Sequence, residues 1–434
     1  MNSNKLFYVL VGVIVVAVFV TIVLVIRNVG GTASKPVTLQ FWGVFDDHTA
    51  FDKVITDFKV QNPSIDVKYQ LFTYAQYESG LVNALAAGTG PDIVMIHNTW
   101  LPKHGDLLAP LPATGVPDTK NPYTLKNFKT DFVDVAYQDL VYNNQIYGMP
   151  LYVDTLGLYY NKDLFNTAGI TQPPQTWDQV NSDIQLLTKL DKSGNIIQSG
   201  FSLGTSQNIN RSTDILMAMM LQSGVPMTST DNTSATFDET VNGQRLGEIA
   251  LQYYTNFANP RNQDYSWNDT QHYSIDAFTE GTLAMMLGYA HDEPTIVSKA
   301  PRLNFAMAPM PQASLSSVTN FANYWAVGVT AKSLHPLESW KFANYLASKE
   351  GATTYLNATN RPSARRDLID LQRTDPTLGV FAVQALSAKS WYQADNTAIE
   401  TIFGNMIDDV NYGRATIPDA MSKAESQVTV LMQH

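Results

Sequence analysis

The chain has 434 residues, with 39 Asp and Glu against 28 Lys and Arg, a formal net charge of −11 and no cysteine. That balance excludes the basic stripes on which nucleic-acid binding depends, and the missing thiols exclude disulfides and cysteine chemistry. Only 15% of residues are charged while 11% are aromatic, a composition suited to neutral, polar ligands.

Residues 6–26 carry no charged side chain and consist mainly of Val, Ile, Leu, Phe and Ala. About 20 apolar residues suffice to span a bilayer as a helix, whereas the core of a cleaved signal peptide is usually about 7–15. Gly31-Thr32-Ala33 offers small residues for cleavage, but the length favours a retained single-pass anchor. Lys5 flanks one end and Arg27 and Lys35 the other, so charge does not orient the helix. No later segment is long and apolar enough to span, which places the rest of the chain on one side of the membrane.

After the linker 32–36, residues 37–44 (VTLQFWGV) alternate and read as a strand. Phe51, Val54, Ile55 and Phe58 follow at helical spacing, and Asn62-Pro63 stops that helix. A strand over 65–72 and a helix over 75–87 come next. Gly88-Thr89-Gly90-Pro91 then turns into 92–97 (DIVMIH), apolar on both faces as buried parallel strands are. This β-α-β-α-β order predicts an α/β lobe with a mostly parallel sheet.

Residues 149–160 read as one strand, followed by a short helix capped by Asn161 and ended at Gly169. Thr176-Trp177-Asp178-Gln179 is a capping box. Helices are expected over 177–189, 212–223, 240–257 and 275–280, and strands over 282–289, 303–308 and 321–330. A helix over 336–358 is broken by Arg361-Pro362, and the C-terminal part is helical over 396–412 and 418–432. A chain of this length exceeds one hydrophobic core, so two lobes are expected.

Several short patterns then fall in order. They are Gly90-Pro91-Asp92-Ile93-Val94; Tyr147-Gly148-Met149-Pro150; Leu158-Tyr159-Tyr160-Asn161-Lys162-Asp163; Phe278-x-x-Gly281-x-x-Ala284-Met285; and a helix over 340–356 that contains a Ser-x-Glu-Gly run at 348–351. Together they resemble the extracellular solute-binding proteins of ABC importers, the maltose-binding type. The resemblance implies an α/β, two-lobe periplasmic-binding-protein-like (type II) fold with a hinge, preceded by one N-terminal transmembrane helix. It implies residues 1–35 as anchor and linker, 36–150 plus 326–362 as the first lobe, and 151–325 plus 363–434 as the second. Crossing segments are expected near 150–155, 320–327 and 360–365. The implied function is capture of a sugar or oligosaccharide in the inter-lobe cleft by hinge closure, acting as a monomer outside the cytoplasm and delivering to ABC permease transmembrane subunits. No cofactor and no metal are implied. The absent cysteine rules out the lipid anchor of many relatives, a role the N-terminal helix would take.

Aromatic faces match the apolar faces of sugar rings while Tyr and Trp keep a polar handle. On the resemblance, Trp42, Trp100, Tyr152, Tyr289 and Trp325 fall at or near ligand-facing positions, as do Trp391 and Tyr392. Trp42 and Trp391 lie on the most strongly aligned positions, and core packing is the competing role for every one of these rings. Asp46, Asn98, Asp154 and His291 would supply polar groups to such a cleft, with His97 in the same loop. Family members that take maltose carry carboxylates and an Arg after the third strand; here Asn98, Thr99 and Trp100 stand there.

Gly200-Phe201-Ser202-Leu203-Gly204 matches the nucleophile-elbow pattern, but the elbow needs a buried strand before it and 196–199 is short and half polar. Tyr159-Tyr160 lies in the crossing strand, where core packing is the simpler role. Asp46-Asp47-His48 and His97 with His104 have no recognised metal spacing. No enzyme is expected. The other readings are an anchored glycan-active hydrolase, for which carboxylate separation is a three-dimensional matter, and a sensor or adhesin that retains the fold.

Overall fold

A computed structural model describes residues 36–116 and 123–433. The apolar segment 6–26 lies outside these residues. Among the described residues no helix is long and apolar enough to cross a membrane.

The first strand, β1 (Val37–Val44), alternates as its sequence predicts, burying Leu39 and Phe41. The helix His48–Gln61 follows, capped by the Asp47 side chain on the Thr49 amide and burying Phe51, Val54 and Phe58. Next come β2 (Ile65–Phe72), the helix Tyr74–Ala86, β3 (Ile93–His97) and the short β4 (Leu108–Ala109). A small hairpin, β5 (Val141–Tyr142) and β6 (Gln145–Ile146), leads to β7 (Met149–Pro150). The second lobe holds β8 (Asp154–Thr155), β9 (Gly157–Asn161), β10 (Lys189–Leu190), β11 (Ile196–Phe201), β12 (Leu283–Gly288) and β13 (Phe305–Pro309). The chain returns through β14 (Asn320–Asn323) and β15 (Trp325–Thr330), and β16 (Ala388–Lys389) comes last.

Two sheets form the two lobes. The first has order β2-β1-β3-β15-β4 with β7 beside β15; β1 runs parallel to β2 and β3, while β15 returns antiparallel. The second has order β10-β11-β12-β9-β13. Each has its own core. Phe41, Phe51, Phe58 and Trp340 centre the first; Tyr159, Trp267, Phe278 and Met285 centre the second.

A third sheet, β16-β14-β8, joins the first two crossing segments to β16. Its presence explains two departures from the sequence reading. The strand expected over 149–160 breaks into β7, β8 and β9 because each piece pairs in a different sheet: with β15, with β14, and with β12 and β13. The strand expected over 321–330 breaks at Tyr324 for the same reason. The helix Arg366–Gln372 still buries Leu368 and Ile369 in the first core, while Leu378 and Phe381 belong to the second. Ala382, Ala385 and Ala388 lie in the first core again, so this stretch packs on both lobes.

The expected helix over 336–358 is two helices, Pro336–Ala347 and Lys349–Thr359. Ser348 is extended and caps the second through the Gly351 amide, at an elbow so tight that a Cβ on Gly351 would meet the Tyr345 carbonyl at 2.1 Å. The helix expected from 240 starts at Leu246, because left-handed Asn242 and Gly243 make a turn first. At Thr176 the cap forms on the Gln179 amide, but the Gln179 side chain reaches back to the Gln175 amide, one residue before the cap.

Candidate functional site

The lobes face one another across a cleft, and the loop after β1 supplies the first wall. Phe45 has φ 66, a left-handed conformation uncommon for a bulky side chain, and is 57% exposed. Its ring stacks on Tyr74, centroids 5.4 Å apart and planes at 25°; Tyr74 is itself 50% exposed. Both meet buried Trp325 edge-on, and Trp100, Tyr77 and His97 back Trp325 from behind. The Tyr74 hydroxyl meets Thr397 of the second lobe.

The opposite wall is polar. Arg211, also left-handed at φ 56, sits just before the helix Ser212–Gln222. It grips Asp214 with two bonds of 2.8 and 3.0 Å and reaches Glu400 at 3.0 Å. Burial opposes the Arg211 charge, but Asp214 and Glu400 outweigh it and hold its pKa well above the usual value. The Tyr289 hydroxyl donates to Asp214 at 2.6 Å.

The two walls are joined through the floor. His97 Nε2 donates to Asn323 Oδ1 at 3.2 Å, and Asn323 donates on to Asp214 at 3.5 Å. Thr99 closes the other side of the imidazole at 2.8 Å. Burial keeps His97 neutral, pushing its pKa down to about 4. Nearby, Asp154 accepts from the Ala290 amide at 3.0 Å and lies 3.4 Å from His291 Nδ1. Burial opposes protonation of His291, but Asp154 and Asp292 hold its pKa above the usual value. Asp46 accepts from Tyr355 and Arg361, both at 2.6 Å, and the Arg361 guanidinium lies 4.4 Å over the Tyr152 ring.

Two further contacts tie the lobes directly. Lys103 pairs with Asp395 at 2.7 Å while also holding Glu78. Asp139, from the first lobe, accepts from Asn98 and Tyr324 of its own lobe and from Ser390 of the other. Burial pushes the Asp139 pKa up to about 6 against those bonds.

The sequence-proposed residues are thus placed unequally. His97 lies against Trp325 and bonds Asn323, Asp154 pairs with His291, Asp46 pairs with Arg361, and Asn98 donates to Asp139. Tyr152 is buried beneath Arg361, and Trp100 stacks behind the wall on Tyr77. Tyr289 is fully buried in the second core, its ring stacked on His291. Trp42 is half-buried and tilts against Phe72 on the first lobe. Trp391 is 8% exposed, packed near Phe403 with its indole N–H on Met217, and with half-buried Tyr392 and with Asn98 it lines a cavity of about 850 Å³ between the lobes. Phe45, Tyr74, Arg211, Glu400 and Arg361 escaped the sequence reading. Only Arg361-Pro362 had been noticed, as a helix break.

The elbow-like motif does follow a strand, since β11 is a full member of the second sheet, contrary to the sequence reading of 196–199. Ser202 Oγ is nevertheless buried without a hydrogen-bond partner, and the chain turns away through Gly204 at φ 106. That is no nucleophile arrangement. Among the described residues no group of three or more His, Asp or Glu could hold a metal.

A family model for bacterial extracellular solute-binding proteins matches residues 42–353, and the chain belongs to that family. It is 26% identical to the maltodextrin-binding protein MdxE of Bacillus subtilis over 262 residues, 58% of each chain. It is 23% identical to the sn-glycerol-3-phosphate-binding periplasmic protein UgpB of Escherichia coli over 361 residues, 79% of this chain and 78% of the other. Among solved structures, the sugar-binding protein MalE of Xanthomonas citri superposes with a TM-score of 0.76 at 20% identity, covering 91% of this chain and 97% of that one. The two-lobe α/β fold is common to both.

Proposed function

We propose that this protein is the extracytoplasmic capture subunit of an ABC importer, closing its two lobes over a neutral carbohydrate. The observation that carries this reading is the pairing of exposed aromatic faces, Phe45 and Tyr74, with polar Arg211, Glu400 and Thr397 of the second lobe, the Tyr74 hydroxyl bonding Thr397. A sugar ring presents the same two chemistries, an apolar face and an equatorial rim of hydroxyls. Closure follows because only the closed form offers both walls to one ligand.

Charge separates a sugar from a phosphate ester of the kind UgpB is named for. The cations of the cleft are already paired: Arg211 with Asp214 and Glu400, Arg361 with Asp46, and Lys103 with Glu78 and Asp395. A phosphate would have to break one of these pairs. The same pairing disfavours glycoside hydrolysis at Asp214 and Glu400, since both carboxylates hold one guanidinium. We further propose that residues 6–26 remain attached as the membrane anchor, on their length alone, and that the closed form is read by a permease.

A thermal-shift panel of neutral saccharides and their phosphate esters tests the reading. A saccharide at 100 times its dissociation constant stabilises by about 2.7 kcal/mol. Stabilisation by phosphate esters with none by neutral saccharides would overturn it.

A further inference from the structure

Three contacts between the lobes end on one strap of the second lobe. Ser390 donates to Asp139, Asp395 pairs with Lys103 at 2.7 Å, and Thr397 meets the Tyr74 hydroxyl. The first-lobe partners come from three separate segments: the helix Tyr74–Ala86, the short helix Leu101–His104 and the helix Asp134–Leu140. We propose that residues 390–397 form a latch that draws the lobes together before any ligand arrives, so that the empty protein is closed part of the time. This holds whichever ligand the cleft takes.

Both sides of the latch are set in advance. On the second lobe, β16 pairs with β14 through Ala388 and Lys389, just before Ser390. Trp391 is anchored near Phe403 with its indole N–H on Met217, and Asp395 caps the helix Asn396–Asn411 through the Ala398 amide at 3.1 Å. On the first lobe, Glu78 holds Lys103 at 2.7 Å, Asn98 and Tyr324 hold Asp139, and the Tyr74 ring stacks on Phe45. Little side-chain freedom is left to lose when the two sides meet, and that loss is a main cost of an interface contact.

The same bonds make the latch reversible. When the lobes part, Lys103 keeps Glu78, Asp139 keeps two donors of its own lobe, Asp395 keeps its helix cap and Tyr74 keeps Phe45. None of the six side chains is fully buried, so opening strands no polar group and forfeits only the contacts across the gap. Those contacts are light. Lys103 and Asp395 keep 34% and 26% of their side-chain surface in solvent, and pairs of that kind are weak. Such a latch populates the closed form without locking it, and a ligand that prefers the closed form then finds it ready-made.

Pulsed electron resonance on the full chain, spin-labelled at Val60→Cys and Val430→Cys on the exposed surfaces of the two lobes, measures the closed fraction without ligand. Three substitutions each remove one contact and spare the rest of the strap. They are Ser390→Ala; Asp395→Asn, in which asparagine still caps the helix; and Tyr74→Phe, in which the ring remains on Phe45. Each is expected to lower the ratio of short- to long-distance populations about two- to fivefold, the range of a weak polar contact. The triple variant should show the long distance alone. Added salt lowers the ratio more in the parent than in Asp395→Asn, because screening acts on the exposed ion pair. An empty parent that shows only the long distance overturns the latch, and so does a ratio that the three substitutions and their combination leave unchanged. Neither result touches the carbohydrate reading, since no ligand is present.

Discussion

The guanidinium of Arg361 lies 4.4 Å over the ring of Tyr152 while donating to Asp46 at 2.6 Å. One side chain thereby joins the loop after β1 to the first crossing segment, and it does so from the loop that follows the helix Lys349–Thr359. Because Asp46 is buried and Arg361 keeps only 13% of its side chain in solvent, removing the cation strands the carboxylate. Arg361→Met is expected to lower ligand-free stability by about 3–5 kcal/mol, the cost of breaking a buried pair from one side. Chemical denaturation checks this, and a loss within about 1 kcal/mol, the usual value of a surface pair, would show that the strut is hydrated.

Phe45 provides a cleaner comparison. Phe45→Ala and Phe45→Gly both remove the ring from Tyr74 and should weaken ligand binding alike. They differ in the backbone, since glycine occupies φ 66 without penalty. The Gly variant should therefore be more stable than the Ala variant by about 1 kcal/mol or more. Equal melting curves would mean that Phe45 relaxes out of the left-handed region once its ring is gone.

Acid titration involves two groups of opposite sign. His97 is held at about 4, below its unfolded value, so its contribution is complete above about 6.5 and is lost as pH falls from there toward 4. Asp139 is raised to about 6, so the folded state takes up its proton first and gains stability over nearly the same window. His97→Gln should remove the loss, making the variant gain on the parent as pH falls from 6.5 to 4.5. Asp139→Asn should remove the gain and lose ground over that range. Melting each variant against the parent at four or five pH values measures both slopes, and parallel curves would contradict the assignment.

Trp391 is expected to act through folding. Its burial against Phe403 and Met217 makes Trp391→Ala cost about 3–5 kcal/mol of ligand-free stability. An unchanged ligand-free melt with weakened ligand binding would instead make it a pure cleft residue, as its alignment with the family had implied.

Local pattern made much of the first lobe legible. The alternation of 37–44, the Phe51-to-Phe58 spacing and the doubly apolar 92–97 all report contacts within one core. The crossings were harder because β7, β8 and β9 take partners from three sheets, and nothing within twelve residues announces a change of partner. The site divides the same way. Asp46, His97 and Asp154 sit beside strand motifs and could be named. Phe45, Tyr74, Arg211 and Glu400 come from four separate segments, and an exposed phenylalanine with positive φ leaves no mark in the sequence.

The central claim is that a saccharide closes the two lobes, and the cysteine-free chain permits a direct measurement. Spin labels at Val60→Cys and Val430→Cys, exposed positions on opposite lobes, report the inter-lobe distance by pulsed electron resonance. With a saccharide that binds, the account predicts that a longer-distance population present without ligand collapses into one short distance. A distribution that the bound saccharide leaves unchanged would contradict closure as the means of capture.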